Sequence, residues 1–184
     1  MNKNILILNG SPRMKGNTAM LCDAFAKGAQ EAGHAVTRFD LQKMDIRGCL
    51  GCMKGGKDSA SPCVQKDDME KIYPAYVRAD IVVLASPLYY WSVSGQLKTA
   101  FDRLFAVAET DPGYANPHKD CALIMAAEGN TPENWKPVLE YYAALVGFLG
   151  WHDLGHVLAG GVLHAGAVSG TPVVDEARRF GASL

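Results

Sequence analysis

The sequence predicts a doubly wound α/β fold, a five-stranded parallel sheet with helices on both faces. Two continuous apolar runs of strand length carry that reading, residues 4–8 (NILIL) and 81–85 (IVVLA), because a strand covered on both faces has no polar side to alternate with. The third observation is a regular alternation of strand-length and helix-spaced segments, which argues for crossover units and a parallel sheet. In the order 2-1-3-4-5, one of the two common doubly wound orders, the winding reverses between the first and third strands. Ligands bind outside the carboxyl ends of the strands at that point.

The first strand empties into residues 9–18 (NGSPRMKGNT), and a helix-spaced segment follows, so this stretch is a strand-to-helix turn. The start of a helix presents free backbone N–H groups and the positive end of the helix dipole, which together suit an anionic group. The residue types agree: Gly10 and Gly16 permit close backbone approach, Ser11, Asn17 and Thr18 offer short donors, and Arg13 offers a charged fork for phosphate oxygens. Neither G-x-x-x-x-G-K-[ST] nor G-x-G-x-x-G is present, so the triphosphate and dinucleotide fingerprints do not apply. The plainer alternative is an ordinary cap, with Asn17 or Thr18 at the N-cap and Pro12 forming the turn.

Leu21, Ala24, Phe25, Ala29 and Ala32 then share a helical face that Gly33 terminates, and residues 34–39 alternate as a second strand. From 42 to 66 the period is lost in a long loop holding three cysteines, a length that in a compact domain marks function or mobility. Asp67 and Glu70 have capping-box spacing ahead of a stripe of Met69, Ile72, Tyr73 and Tyr76. The third strand, 81–85, leads into SPLYYWS at 86–92, and Leu97, Phe101, Leu104 and Phe105 form the next helical stripe, over 95–106. Residues 121–127 read as a fourth strand ending in Glu128 and Gly129. Thr131 and Pro132 start a helix that Gly150 ends, and a fifth strand spans 151–159 with Gly155 interrupting it. A glycine-rich loop, 160–170, precedes a short closing helix that begins at Thr171 and Pro172.

One domain of 184 residues with 48% hydrophobic residues is large enough to bury a real core. The formal net charge is −1 and the basic residues are scattered, which points away from nucleic acid and from anionic membranes. The first apolar run is too short for a signal peptide and none reaches membrane-spanning length, so the expected setting is cytoplasmic. Five cysteines at irregular spacing fit a reducing compartment better than a disulfide framework.

The combination of GSPR-x-x-GNT after the first strand, a cysteine-bearing loop after the second and SPLYYWSVSGQLKTAFDR after the third resembles the NAD(P)H-dependent FMN reductase family. That family has a flavodoxin-like fold, and within it the chain is most similar to the branch of iron–sulfur flavoproteins. The resemblance covers about the first two thirds of the chain. It implies FMN held by its phosphate at Ser11, Arg13, Gly16, Asn17 and Thr18, with the ring system against Pro87, Leu88, Tyr89, Tyr90 and Trp91 and closed by Glu128 and Gly129. It further implies hydride uptake from NADH or NADPH, delivery to a second small molecule (a quinone, nitro or azo compound, flavin or metal ion), and a homodimer or homotetramer with contacts near the 95–106 helix and Gly166. No acid–base residue is expected to be essential, because the flavin carries the chemistry. Taken by themselves, the three rings at 89–91 also suit a core cluster. Three bulky side chains between Pro87 and Gly95 cannot all enter one core, however, so at least one is expected to be exposed.

In the resembled branch the cysteine loop carries four thiolates, and a cluster normally needs four. Cys49, Cys52 and Cys63 supply three, and Gly55 stands where another is expected. Three readings stay open: a cluster completed from elsewhere, such as Asp58, a CxxC thiol–disulfide switch, or a residual loop that shapes the site or a subunit contact. Cys22 and Cys121 read as small buried residues. His152 and His156 lie on a strand rather than a helix, so their i, i+4 spacing does not pair them on a metal. Two non-enzymatic readings accompany the oxidoreductase. One is a flavodoxin-type electron carrier, disfavoured by the near-neutral charge and by Arg13. The other is a redox-sensing binding module acting through Cys49 and Cys52.

Overall fold

A computed structural model of the chain describes residues 2–184. Five parallel strands, β1 (Asn4–Asn9), β2 (Ala35–Asp40), β3 (Ile81–Pro87), β4 (Asp120–Ala126) and β5 (His152–Ala159), form one sheet in the order β2-β1-β3-β4-β5. Strand alternation divides the core in two. Leu6 and Leu8, Val82 and Leu84, and Cys121, Leu123 and Met125 face one layer. Ile5 and Ile7, Ile81 and Val83, and Ala122 and Ile124 face the other.

Helices α1 (Asn17–Glu31) and α6 (Pro172–Ala182) cover the second layer, and their backbones almost touch. A Cβ at Gly28 would lie 1.9 Å from the Arg178 carbonyl oxygen, and one at Gly181 would lie 2.1 Å from that of Phe25. The other face is covered by α2 (Met69–Arg78), α3 (Gly95–Arg103), α4 (Phe105–Ala108) and α5 (Pro132–Leu149), which bury Ile72, Tyr73, Leu97, Trp135, Val138 and Tyr142. Burial of each such side chain contributes about 1.5–3 kcal/mol, which is why the apolar runs dominate the choice of fold. Among the described residues no helix is long and apolar enough to cross a membrane.

Several junctions follow the sequence. Gly33 and Gly150 hold positive φ just beyond α1 and α5, and Thr131–Pro132 and Thr171–Pro172 open α5 and α6 at N-cap and N1. Gly155, at φ +114°, sits in a register shift where β5 gains a residue against β4, so the strand bulges rather than breaks.

Three expectations need correction. The N-cap of α1 is Gly16, not Asn17 or Thr18, and no side chain caps that helix. The 95–106 segment is two helices: Leu104 N–H bonds the Phe101 carbonyl three residues back, tightening the chain before α4 resumes. Asp67 and Glu70 form no capping box, because the N-cap is Asp68 and both carboxylates bond elsewhere. Glu70 takes the Ser61 hydroxyl and Lys66, while Asp67 accepts from Met69 N–H, Arg47 N–H and the buried guanidinium of Arg103.

The same Arg103 donates to the carbonyls of Arg47 and Gln65, so one side chain pins both ends of the long cysteine loop. Burial alone would raise the Asp67 pKa. The Arg103 guanidinium and the two backbone donors more than offset this and hold it below the usual carboxylate range.

Candidate functional site

Four loop tips meet at the carboxyl edge of the sheet, following β1, β3, β4 and β5, and enclose an open cleft of about 220 Å³. Parallel pairing brings them together: Gly10 N–H bonds the Ala85 carbonyl, Leu88 N–H that of Ala126, and Ala127 N–H that of Ala159. The reversal of strand order leaves β1 and β3 adjacent while their connections depart to opposite sides, which opens the crevice.

Ser11, Arg13, Gly16, Asn17 and Thr18 form the polar wall. Ser11 is held in place from below. Its N–H donates to Asn9 Oδ1, and Asn9 Nδ2 donates to Asp40, which Arg38 grips in turn. Burial works against ionisation of Asp40, but the Asn9 amide and the Arg38 guanidinium hold its pKa low, so a fixed anion braces the turn. The loop closes tightly around Gly16, where a Cβ would lie 2.8 Å from that of Arg13 and 3.4 Å from the Ser11 hydroxyl oxygen. Because α1 has no side-chain cap, the first-turn N–H groups beneath this cradle stay available to an outside acceptor.

Asn17 has a different job from the one its residue type suggested. Its Nδ2 donates to the carbonyls of Val162 and His164, and its Oδ1 accepts Val168 N–H, so the side chain ties down the glycine-rich loop. Arg13, exposed, donates to the Leu163 carbonyl and keeps its other donors free of protein partners among the described residues.

The opposite wall consists of Pro87, Leu88 and Tyr89 with Glu128 at the rim. Tyr89 and Ser92 exchange two backbone hydrogen bonds around Tyr90 and Trp91, whose φ values are +48° and +59°, making a two-residue turn of the I′ type. Glycine and asparagine are the usual occupants of that turn. Two aromatic residues there hold strain that the rest of the structure must compensate, a pattern that clusters at functional sites. All three rings are exposed: Tyr89 by 43%, Tyr90 by 94% and Trp91 by 56%. They are not a core cluster. Tyr90 and Trp91 stand beyond the cleft wall, as does Gly129, which packs against Asn134.

Backbone donors for a ring are correspondingly restricted. The N–H groups of Leu88 and Tyr89 are committed to Ala126 and Ser92, whereas those of Tyr90, Trp91, Glu128 and Gly129 have no protein partner among the described residues. Sequence reasoning missed four wall residues, Ala126, Ala127, Val162 and Leu163. The glycine-rich loop folds over the cleft, with Val162 N–H on the Ala127 carbonyl, and the sequence signal for this was its glycine content.

The polar groups at the start of α1 thus face Pro87, Leu88 and Tyr89 across one cleft. Comparison with known proteins places the chain in a family. A family model described as NADPH-dependent FMN reductase matches residues 3–161. An iron–sulfur flavoprotein of Archaeoglobus fulgidus is 38% identical over 95 residues, 52% of this chain and 42% of that protein. An iron–sulfur flavoprotein of Methanocaldococcus jannaschii is 32% identical over 123 residues, 67% of this chain and 61% of the relative. The matched region therefore spans about half the length of these curated relatives. Among solved structures, an NAD(P)H:quinone oxidoreductase from Methanothermobacter marburgensis superposes with a TM-score of 0.76 at 22% identity, covering 100% of this chain and 98% of that one.

Proposed function

The chain belongs to the NADPH-dependent FMN reductase family, and from that premise we propose that it is an FMN-dependent oxidoreductase. In this reading it takes hydride from NADH or NADPH and reduces a second small acceptor: a quinone, a nitro or azo compound, a free flavin or a metal ion. The observation that carries it is the pairing, in one cleft, of an uncapped helix start beside Arg13 with Pro87, Leu88 and Tyr89 on the opposite wall. The residues present fit FMN: the cradle around Gly16 would be filled by any Cβ, and its donors suit a dianionic phosphate at the end of a flat ring system.

When bound, FMN supplies two-electron chemistry, accepting hydride at N5 and giving it up to an acceptor. The chain's own residues bind and orient. Arg13, the Ser11 and Thr18 hydroxyls and the first-turn N–H groups of α1 hold the phosphate. Pro87, Leu88 and Tyr89 exclude water from one side, and Val162 and Leu163 do so near the tail. The open amides of Tyr90, Trp91, Glu128 and Gly129 are the donors available to ring heteroatoms, where hydrogen bonds stabilise the charge that reduction places on the ring. The cleft is open on one face, so donor and acceptor take turns in it and turnover is ping-pong. We extend the proposal to a homodimer in which the exposed Tyr90–Trp91 turn is covered by the second subunit, to be checked by light scattering.

An absorption spectrum of the purified protein under anaerobic conditions, before and after each nicotinamide, tests the reading. The expected result is a flavin spectrum bleached by at least one of the two and restored by a quinone. A colourless protein that fails to take up added FMN would end it.

A further inference from the structure

We propose that Asn17 is a positioning residue for the flavin, acting through the loop after β5. By latching residues 161–168 over the phosphate end of the cleft, it selects a terminal monophosphate, as in FMN, over a pyrophosphate-linked dinucleotide, as in FAD. The inference rests on the flavin reading of the cleft given above.

A carboxamide has two N–H hydrogens to donate and one oxygen to accept with. In Asn17 both are given to the loop, Nδ2 lying 3.1 Å from the Val162 carbonyl and 2.9 Å from that of His164. Its Oδ1 accepts Val168 N–H at 3.2 Å. The residue is 7% exposed, so these bonds are made away from competing water. Asn17 thus stands in the cradle turn with its donors spent on the loop and none left for a phosphate.

The loop is fastened on both sides of the cleft. At the end of β4, Gly161 N–H bonds the Glu128 carbonyl and Val162 N–H that of Ala127. At the start of α1, Asn17 is joined by Arg13, whose Nη1 lies 3.0 Å from the Leu163 carbonyl. The span between these fastenings places Val162 and Leu163 in the cleft wall beside Ser11 and Thr18. Three successive turns, closed by Ala167 N–H on His164, Ser169 N–H on Gly166 and Thr171 N–H on Val168, fold the rest back on itself, with Val168 fully buried. A segment tied this way releases as a unit.

The phosphate of FMN ends its chain. In FAD the same phosphate carries a second phosphate and an adenosine, which would have to leave the cradle past this span. Admitting them means releasing the loop and its three bonds to Asn17. A net hydrogen bond corresponds to roughly 2- to 10-fold in an equilibrium constant, so three correspond to roughly 100-fold. Selection then comes from penalising the longer ligand, not from a further contact to the shorter one.

The test is fluorescence titration of the flavin-free full chain with FMN, FAD and riboflavin, in the parent and in Asn17→Ala. The parent should bind FMN roughly 100-fold more tightly than FAD. In the variant that ratio should fall by at least about 10-fold, largely because FAD binds better, while riboflavin, which has no phosphate, binds as it does to the parent. A side chain that merely stabilised the fold would weaken all three flavins together when removed. Asn17→Ser, able to keep at most one of the three bonds, should fall between parent and alanine variant, and it decides the matter should the alanine variant not fold. A parent that binds FAD as tightly as FMN, a ratio that neither variant moves, or a common weakening of all three flavins would each overturn the latch. FMN binding with an unmoved ratio refutes the latch alone, whereas a parent that binds no flavin refutes the oxidoreductase reading with it.

Discussion

Arg13 and Arg103 show how one residue type serves opposite ends. Arg13 is exposed at the mouth of the cleft with donors to spare, so its value lies in what it binds. If it holds the FMN phosphate as proposed, replacing it with alanine should remove a charge-assisted contact of about 1.5–3 kcal/mol and raise the FMN dissociation constant by roughly 10- to 100-fold. Riboflavin, which lacks the phosphate, should bind the variant and the parent alike, and fluorescence titration with both ligands checks this. Arg103 is buried against Asp67, whose side chain is 0% exposed, so its value lies in what it holds together. Asp67→Asn leaves that cation uncompensated and should cost about 3–5 kcal/mol in denaturant unfolding. The pH dependence follows from the sign of the shift. The Asp67 pKa is lowered on folding, so its contribution is complete above the unfolded value of about 4 and is lost as pH falls below it. The stability gap between parent and variant should therefore shrink on acidification, which paired unfolding curves at neutral and acid pH would show.

Among the elements, the α1–α6 contact and the turn after β3 make contrasting predictions. The two helices pack through Gly28 and Gly181, where a methyl group would overlap a backbone carbonyl that no rotamer can move aside. Gly28→Ala should destabilise by about 1–3 kcal/mol, lowering the melting temperature by about 2–4 °C per kcal/mol, although alanine is the better helix former. In the turn, Tyr90 and Trp91 adopt the left-handed conformation that costs side-chain-bearing residues about 1–2 kcal/mol each. Replacing the pair with Asn-Gly, the preferred residues of that turn, should keep or raise thermal stability while lowering turnover with a quinone. A variant that gained stability and kept full activity would show the rings to be dispensable.

For the whole molecule, the cleft links four strand ends, so a ligand that fills it restrains all of them. FMN at about 100 times its dissociation constant should add about 2.7 kcal/mol to unfolding stability, and riboflavin at the same concentration should add less. Thermal shifts with each ligand measure the share due to the phosphate cradle.

The fold class and the first and third loops were legible in the sequence because they rest on local signals, whereas the strand order came with the family resemblance, since it pairs segments as far apart as β1 and β3. Two-sided apolar runs, helix stripes and turn residues act within a few positions of one another, and here burial and propensity agree. What depends on partners far along the chain was not legible. Nothing local told that Asn17 would be spent on Val162, His164 and Val168, some 150 positions away, or that the loop after β5 would roof the cleft. The spacing of Asp67 and Glu70 gave a helical rule that did not hold, because Asp67 turns to the distant buried guanidinium of Arg103 as well as to Met69 N–H, and Glu70 is taken by Ser61 and Lys66. The chain alone thus determined which elements form and where the cleft lies. The tertiary structure decided which of the cleft's polar groups remain free to bind, since a donor is available only if no distant acceptor has already taken it.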